Sequence, residues 1–373
     1  MLLQNGIRPK GSVTLPPSKS EAVRAALLYA LSGEDPALAV KGFEAPFCRD
    51  IECAIGAARG LGGAANVCES AALLRMLIPV SLALCGRAEI EGSEKVFMRG
   101  IGELEECFKA SARIEKSRLY MEKTLDKSVY EIDCSRSSQF LSGLLIALPL
   151  TGRKCEIVIK RGFVSKPYAH MTAELVRRFG GRIEETERGF LTYPARYTAP
   201  EAAPVAGDES YAAVFRAMNF AGGQIEITGS AGDPLQPDSA AEELMGKSES
   251  DVTDCPDLLP ILAAAACVKR GVTIIRGTAR LKAKESDRES GIVQMIRDLG
   301  GEAFVGENCV VIGGEGRLAG GECSSMGDHR LAFAAAVMAC VCEKPVLLHG
   351  AEAVEKSAPA FWKDLSRLLD KGV

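Results

Sequence analysis

Several helix starts in this sequence put positive charge where a helix ordinarily disfavours it. Residues 16–31 read PPSKSEAVRAALLYAL. Ser18 can cap a helix with an apolar face of Val23, Ala26, Leu27, Ala30 and Leu31, and Gly33 stands just past its end. Lys19, Ser20 and Arg24 occupy the first turns, where cations oppose the helix dipole. They make sense if an anion sits at the N-terminus, where unpaired N–H groups already point. Residues 132–146, IDCSRSSQFLSGLLI, place Ser137 and Ser138 as caps of a strongly apolar helix with Gln139 in its first turn. Hydroxyls beside free backbone N–H groups form a phosphate cradle. Residues 165–168 add Ser165 and Lys166 ahead of Pro167 and Tyr168.

A second group mixes charges. In DCPDLLP, Pro256 fits the first helical position and Asp257 is a first-turn carboxylate on an otherwise apolar helix. Lys284, Glu285 and Arg288 fall together in RLKAKESDR, and Asp287 starts a helix there. His329 and Arg330 open a run of Leu, Ala, Phe and Val. A helix of that composition is buried nearly all round, so both residues need partners. Lys356 precedes the last helix in EKSAPAFW.

Other chemistries lack their signatures. The chain has no H-E-x-x-H, G-x-S-x-G or G-x-G-x-x-G, and Gly246-Lys247-Ser248 follows Ala241 where a P-loop requires glycine. Its 13 cysteines are scattered without a C-x-x-C pair, as expected of reduced core thiols in a cytoplasmic protein. No cofactor and no metal are implied. A net charge of −4 argues against a nucleic-acid partner but leaves small anions open, because they need only local positive charge. No apolar run is long enough to span a bilayer, and the start has no secretory h-region.

The elements that position these residues repeat. One set of helix starts lies near Ser18, Ser70, Ser137, Asp208, Pro256 and Asp328, a second near Arg49, Met98, Tyr168, Asp238, Asp287 and Pro359. Paired in order they are 31, 28, 31, 30, 31 and 31 residues apart. Strand-like stretches follow first-set helices at residues 155–160, 224–228 and 272–276, and further strands are expected at 182–186 and 309–312. Second-set helices end in Gly62-Gly63, Gly180-Gly181 and Gly300-Gly301. The unit reads as strand, helix, strand, helix, strand, strand, six times over. First-set starts are spaced 52, 67, 71, 48 and 72 residues, so the first and fourth units are short and should lack their terminal strands.

Taken together, PPSKSEAVR, SSQFLSGLL, SKPY, the P-D of DCPD, KESDR, GDHR and EKSAPAFW resemble the signatures of the 5-enolpyruvylshikimate-3-phosphate synthase family, in its order, over residues 11–365. The resemblance implies an α/β fold of two domains, an inside-out α/β barrel of three βαβαββ units each. One domain would be 1–16 plus 208–373, the other 17–207, with the active site in the interdomain cleft. It also implies transfer of the enolpyruvyl group of phosphoenolpyruvate to shikimate 3-phosphate by a monomer. Lys19, Ser20, Arg24, Ser137, Ser138, Gln139, Ser165, Asp257 and Lys284 would hold shikimate 3-phosphate. Lys19, Ala71, Arg99, Gln139, Glu285, Arg288, His329, Arg330 and Lys356 would surround phosphoenolpyruvate. Asp257 would take the hydroxyl proton, with Lys19 and Glu285 serving C3.

The chain departs from the family at Ala71, where glycine is common, and at Arg280, usually not basic. The methyl of Ala71 should crowd the pocket and weaken glyphosate, an inhibitor larger than phosphoenolpyruvate. Arg280 either contacts phosphate or faces solvent. Two alternatives are the sister enzyme acting on UDP-N-acetylglucosamine and a non-catalytic anion-binding relative. The first normally carries a reactive cysteine, absent from GSEKVFMRGIGE around Arg99. The second would gain by losing Asp257 and Glu285.

Overall fold

The computed structural model describes residues 1–44, 46–202, 205–229 and 235–370. The chain divides into unit 1, comprising Met1–Pro16, Ala45–Cys48 and Ala206–Val373, and unit 2, comprising Pro17–Glu44 and Arg49–Val205.

Two strands of unit 1 come first, β1 (Leu2–Leu3) and β2 (Lys10–Thr14). Unit 2 follows with α1 (Lys19–Ser32) and α2 (Arg49–Arg59). Its second repeat is β3 (Ala65–Asn66), α3 (Ala71–Cys85), β4 (Arg87–Glu91), α4 (Glu94–Met98), α5 (Gly102–Phe108), β5 (Arg113–Glu115) and β6 (Arg118–Glu122). Its third is β7 (Val129–Cys134), α6 (Gln139–Ala147), β8 (Cys155–Phe163), α7 (Lys166–Arg178), β9 (Ile183–Thr186) and β10 (Gly189–Thr192). Unit 1 resumes with α8 (Glu209–Phe220), β11 (Gln224–Thr228) and α9 (Ala241–Met245). Then come β12 (Glu249–Asp251), α10 (Leu259–Val268), β13 (Arg270–Arg276), α11 (Arg288–Asp298), β14 (Glu302–Gly306) and β15 (Cys309–Glu315). The last repeat is β16 (Gly321–Ser324), α12 (His329–Ala339), β17 (Val346–His349) and α13 (Phe361–Asp370).

The pairing confirms the repeat. Three four-stranded sheets share one plan: β3-β4-β6-β5, β7-β8-β10-β9 and β12-β13-β15-β14. In each, the first pair is parallel and the other two are antiparallel. The parallel pair brackets a first-set helix, as a crossover connection requires. Among the described residues, the first repeat has no sheet and the fourth has only the parallel pair β2–β11, so the two short units lack their terminal strands. The sixth is completed differently: β17 pairs parallel with β16 and antiparallel with β1. All these sheets are open, and among the described residues none closes into the expected barrel.

First-set helices form the cores because their composition leaves no polar face. Every residue of α12 is buried, and α10 is buried from Leu259 through Cys267. In unit 1, α10 packs on both α12 and α8. Their alanines permit close approach, and their starts place Asp257, His329 and Arg330. In unit 2, α3 packs on α6. A Cβ on Gly143 of α6 would lie 2.6 Å from Pro79 Cγ and 2.7 Å from the Arg75 carbonyl, so glycine is required there. Pro79 inside α3 also has no N–H to offer that carbonyl.

Side-chain caps at Ser18, Asp208, Asp287 and Asp328 start α1, α8, α11 and α12. Elsewhere the expected starts move. Met98 ends α4 rather than starting a helix, because Ser93 caps that helix earlier, and a second helix begins at Gly102. The starts expected at Tyr168, Asp238 and Pro359 fall at Lys166, in a 3-10 turn over Pro237–Ala240, and at Phe361.

Candidate active site

Unit 1 gathers two carboxylates, each between cations. Asp257 lies 2.7 Å from Arg288 Nη1, 3.2 Å from Arg330 Nη2 and 3.7 Å from Lys284 Nζ. Glu285 lies 2.9 Å from His329 Nδ1 and 3.1 Å from Lys356 Nζ. Asp328 joins the two sets: its carboxylate accepts from Arg288 Nε at 2.7 Å and from the backbone N–H of Arg330 at 2.9 Å, and lies 3.9 Å from His329 Nδ1. Arg288 and Arg330 are buried. Burial alone would lower the Arg288 pKa, but Asp328, Asp257 and Glu285 outweigh it and drive it up. Arg330 is raised in the same way, against its burial, by Asp257, Asp238 and Asp208. Asp328 is also buried, yet Arg288 and His329 hold it below the usual carboxylate range.

Glu285, Asp328 and His329 bring possible ligand atoms within 4.8 Å of one another. With Asp328 engaged by Arg288, and Glu285 by Lys356, the chemistry of the group is that of an ion-pair network rather than a metal cage.

Unit 2 arranges its cations on a different principle. Arg24 is buried and donates to Thr172 Oγ1 at 2.7 Å, Ser142 Oγ at 3.2 Å and the Ser20 carbonyl at 2.6 Å. These acceptors are neutral, and burial lowers its pKa to about 10. Arg75 is likewise lowered to about 10, by burial and then by the nearby charge of Arg99. Its guanidinium donates to Gln139 Oε1 and the Arg99 carbonyl, both at 2.9 Å, and lies 4.5 Å from the Phe140 ring centroid. Its Nε is buried without a hydrogen-bond partner among the described residues. Two buried cations coordinated by neutral atoms leave positive charge for an incoming anion.

The serines act differently from the simple caps expected. Ser137 Oγ accepts from the Gln139 N–H at 3.2 Å, while Ser138 Oγ donates to the Ser165 carbonyl at 2.9 Å. Ser165 sits in left-handed backbone, φ 55°, at the start of α7. Lys19 pairs with Asp50 at 3.2 Å. Ala71 is the buried first residue of α3. Arg99 caps the end of α4. Arg280 donates to the Thr253 carbonyl, so one role of its guanidinium is to hold a neighbouring turn.

Sequence reasoning missed Arg75, Asp50, Asp328, Thr172 and Ser142. Arg75 had a signal: it is a lone arginine in AALLRMLIPVSL, where a buried charge needs a purpose.

Fold and site define a protein of two repeat-built α/β units with cation-lined helix starts. A family model described as EPSP synthase (3-phosphoshikimate 1-carboxyvinyltransferase) matches residues 67–254 and 240–365, and the chain belongs to that family. A 3-phosphoshikimate 1-carboxyvinyltransferase of Clostridium kluyveri is 30% identical, with 98% of this chain and 96% of that protein aligned. One from Clostridioides difficile is 31% identical over 80% of this chain and 75% of its own length. The EPSP synthase structure of Acinetobacter baumannii superposes with a TM-score of 0.78 at 19% identity, over 98% of this chain and 97% of that one.

Proposed function

We propose that this protein adds the enolpyruvyl group of phosphoenolpyruvate to the 5-hydroxyl of shikimate 3-phosphate and releases phosphate, the step that feeds chorismate and aromatic amino acid synthesis. The observation that carries the reading is the pair of carboxylates in unit 1, Asp257 and Glu285, each bracketed by cations. Simple anion binding gains nothing from either carboxylate, whereas addition and elimination need proton acceptors beside anion-binding cations.

Asp257 accepts the proton of the attacking hydroxyl as oxygen bonds to C2 and C3 is protonated. The tetrahedral ketal phosphate then loses phosphate as C3 returns its proton. Glu285 and Lys19 serve that C3 transfer. Arg24, Ser20, Ser137, Ser138, Gln139, Ser165 and Lys284 hold shikimate 3-phosphate. Ala71, Gln139, Arg99, Arg288, His329, Arg330 and Lys356 surround phosphoenolpyruvate, and their charges stabilise the departing phosphate. Both units serve one reaction, with the domain division drawn at residues 16 and 207. A monomer suffices. Among the described residues no helix is long and apolar enough to cross a membrane, and the free cysteines fit a reducing cytoplasm.

The cysteine following Arg99 in the chain, Cys107, is buried, and burial pushes its thiol to about 12. That is not the reactive thiol of an enzyme acting on UDP-N-acetylglucosamine. The deciding experiment is phosphate release from phosphoenolpyruvate with either acceptor. Release that requires shikimate 3-phosphate is expected; release with UDP-N-acetylglucosamine, or with neither, overturns the reading.

A further inference from the structure

Cys53 lies on α2, and Cys68 lies in the turn between β3 and α3. The Cys53 thiol donates to the Cys68 sulfur at 2.8 Å, inside ordinary nonbonded contact and approaching the bonded distance of about 2.05 Å. The surroundings fix both residues. The Cys53 sulfur also lies 3.2 Å from the Asn66 carbonyl, an alternative acceptor for its one proton, and Asn66 Oδ1 accepts from the Cys68 N–H at 2.8 Å. The Cys68 carbonyl accepts from the Ser93 N–H at 2.8 Å.

Cys68 occupies left-handed backbone, φ 51°, a region that glycine or asparagine adopts more readily. Exposure singles the pair out as well. Ten of the cysteines are buried, while Cys53 is half-buried and Cys68 exposed. The remaining exposed thiol, Cys85, faces the Gly62 carbonyl.

We propose that Cys53 and Cys68 form an oxidant-responsive dithiol, closed reversibly to a disulfide by a small-molecule disulfide such as oxidised glutathione. Cys68, the exposed sulfur, attacks the reagent as thiolate and expels one glutathione thiol, giving a mixed disulfide. Cys53 loses its proton, attacks the Cys68 sulfur and expels the second thiol. Two electrons pass from the protein sulfurs to the reagent, and one disulfide is exchanged for another. Burial and the hydrogen bond to Cys68 push the Cys53 thiol up, which suits the resolving partner rather than the first attacker. The bond would close a loop between positions 15 apart in sequence and tie α2, which carries the Lys19 partner Asp50, to the turn leading into Ala71 and Arg75.

The test uses the full chain, incubated with reduced or oxidised glutathione, alkylated and digested with trypsin. The expected product links the peptide ending at Arg59 to the one ending at Arg75, lowers the free-thiol count by two and reverses with dithiothreitol. The melting midpoint should rise by on the order of 5 °C on oxidation. In Cys53→Ser, the mixed disulfide should persist on Cys68 with no crosslink. The proposal is overturned if the natural chain keeps a glutathione adduct on Cys68 without the link. An unchanged thiol count, or a link from Cys68 to Cys85, overturns it equally.

Discussion

The two units hold buried arginines by opposite means. In unit 1, Arg288 and Arg330 are clamped by Asp257 and Asp328, and their charge is compensated before any substrate arrives. In unit 2, Arg24 and Arg75 rest on hydroxyls, carbonyls and an amide, and burial draws their pKa values down to about 10. Glu21 near Arg24 and Glu103 near Arg75 offset that desolvation only in part, and a desolvated cation hydrogen-bonded to neutral groups gains when an anion binds. A cation already paired contributes through its partner: a carboxylate held in place can take and return protons. The contrast is between two ways of holding buried arginines, with neutral partners in unit 2 and with carboxylates in unit 1.

The sharpest way to break this division is Asp257→Ala. Turnover should fall by about a thousandfold while KM for each substrate stays within a few-fold; unchanged turnover in steady-state assays would remove Asp257 from the mechanism. Arg288→Met comes next, because it removes the guanidinium that pairs with buried Asp328 and one of the three cations around Asp257. Losing one partner of a buried ion pair costs about 3–5 kcal/mol, which urea unfolding would register. Arg24→Met should do the reverse. Thr172 and Ser142 still bond each other at 2.8 Å, so stability should hold, while KM for shikimate 3-phosphate rises by about a hundredfold. A comparable loss of stability in both arginine variants would erase the distinction.

Smaller effects sharpen it. Ala71→Gly removes the buried methyl at the start of α3, and glyphosate inhibition should tighten by about tenfold. Asp238, which accepts from Ser210 Oγ, is pushed up to about 6 by burial and then by the charge of Asp257. The folded chain holds its proton more tightly than the unfolded chain. Its stabilising contribution is therefore full below about pH 4 and lost as pH rises through about 6. Asp238→Asn stays neutral, so thermal melts should favour the variant over the natural chain more at about pH 7.5 than at about pH 5.

What the sequence revealed followed from range. Caps at Ser18, Asp208, Asp287 and Asp328 are local chemistry, and the helices start where those residues say. The repeat was legible because one pattern recurs six times. The helix start expected near Met98 was not, because Ser93 caps a short helix that Met98 ends, and the next helix begins only at Gly102. Partners were the least legible. Asp50 finds Lys19, and Arg75 finds Gln139, only once packing has set the helices side by side. Gly143 shows how closely that packing is specified: its missing side chain is where α6 meets Pro79 and the Arg75 carbonyl.

The pairing of β1 with β17, and of β2 with β11, also sets an order of events during synthesis. Unit 2 is drawn almost wholly from one uninterrupted stretch and can collapse while the ribosome is still working. The first strands of unit 1 leave the ribosome before any of unit 2, yet β1 meets its partner only when residues 346–349 emerge. Until then β1 waits unpaired, whereas β2 can already meet β11 at residues 224–228, so a pause in translation late in the message exposes β1 alone of these two strands.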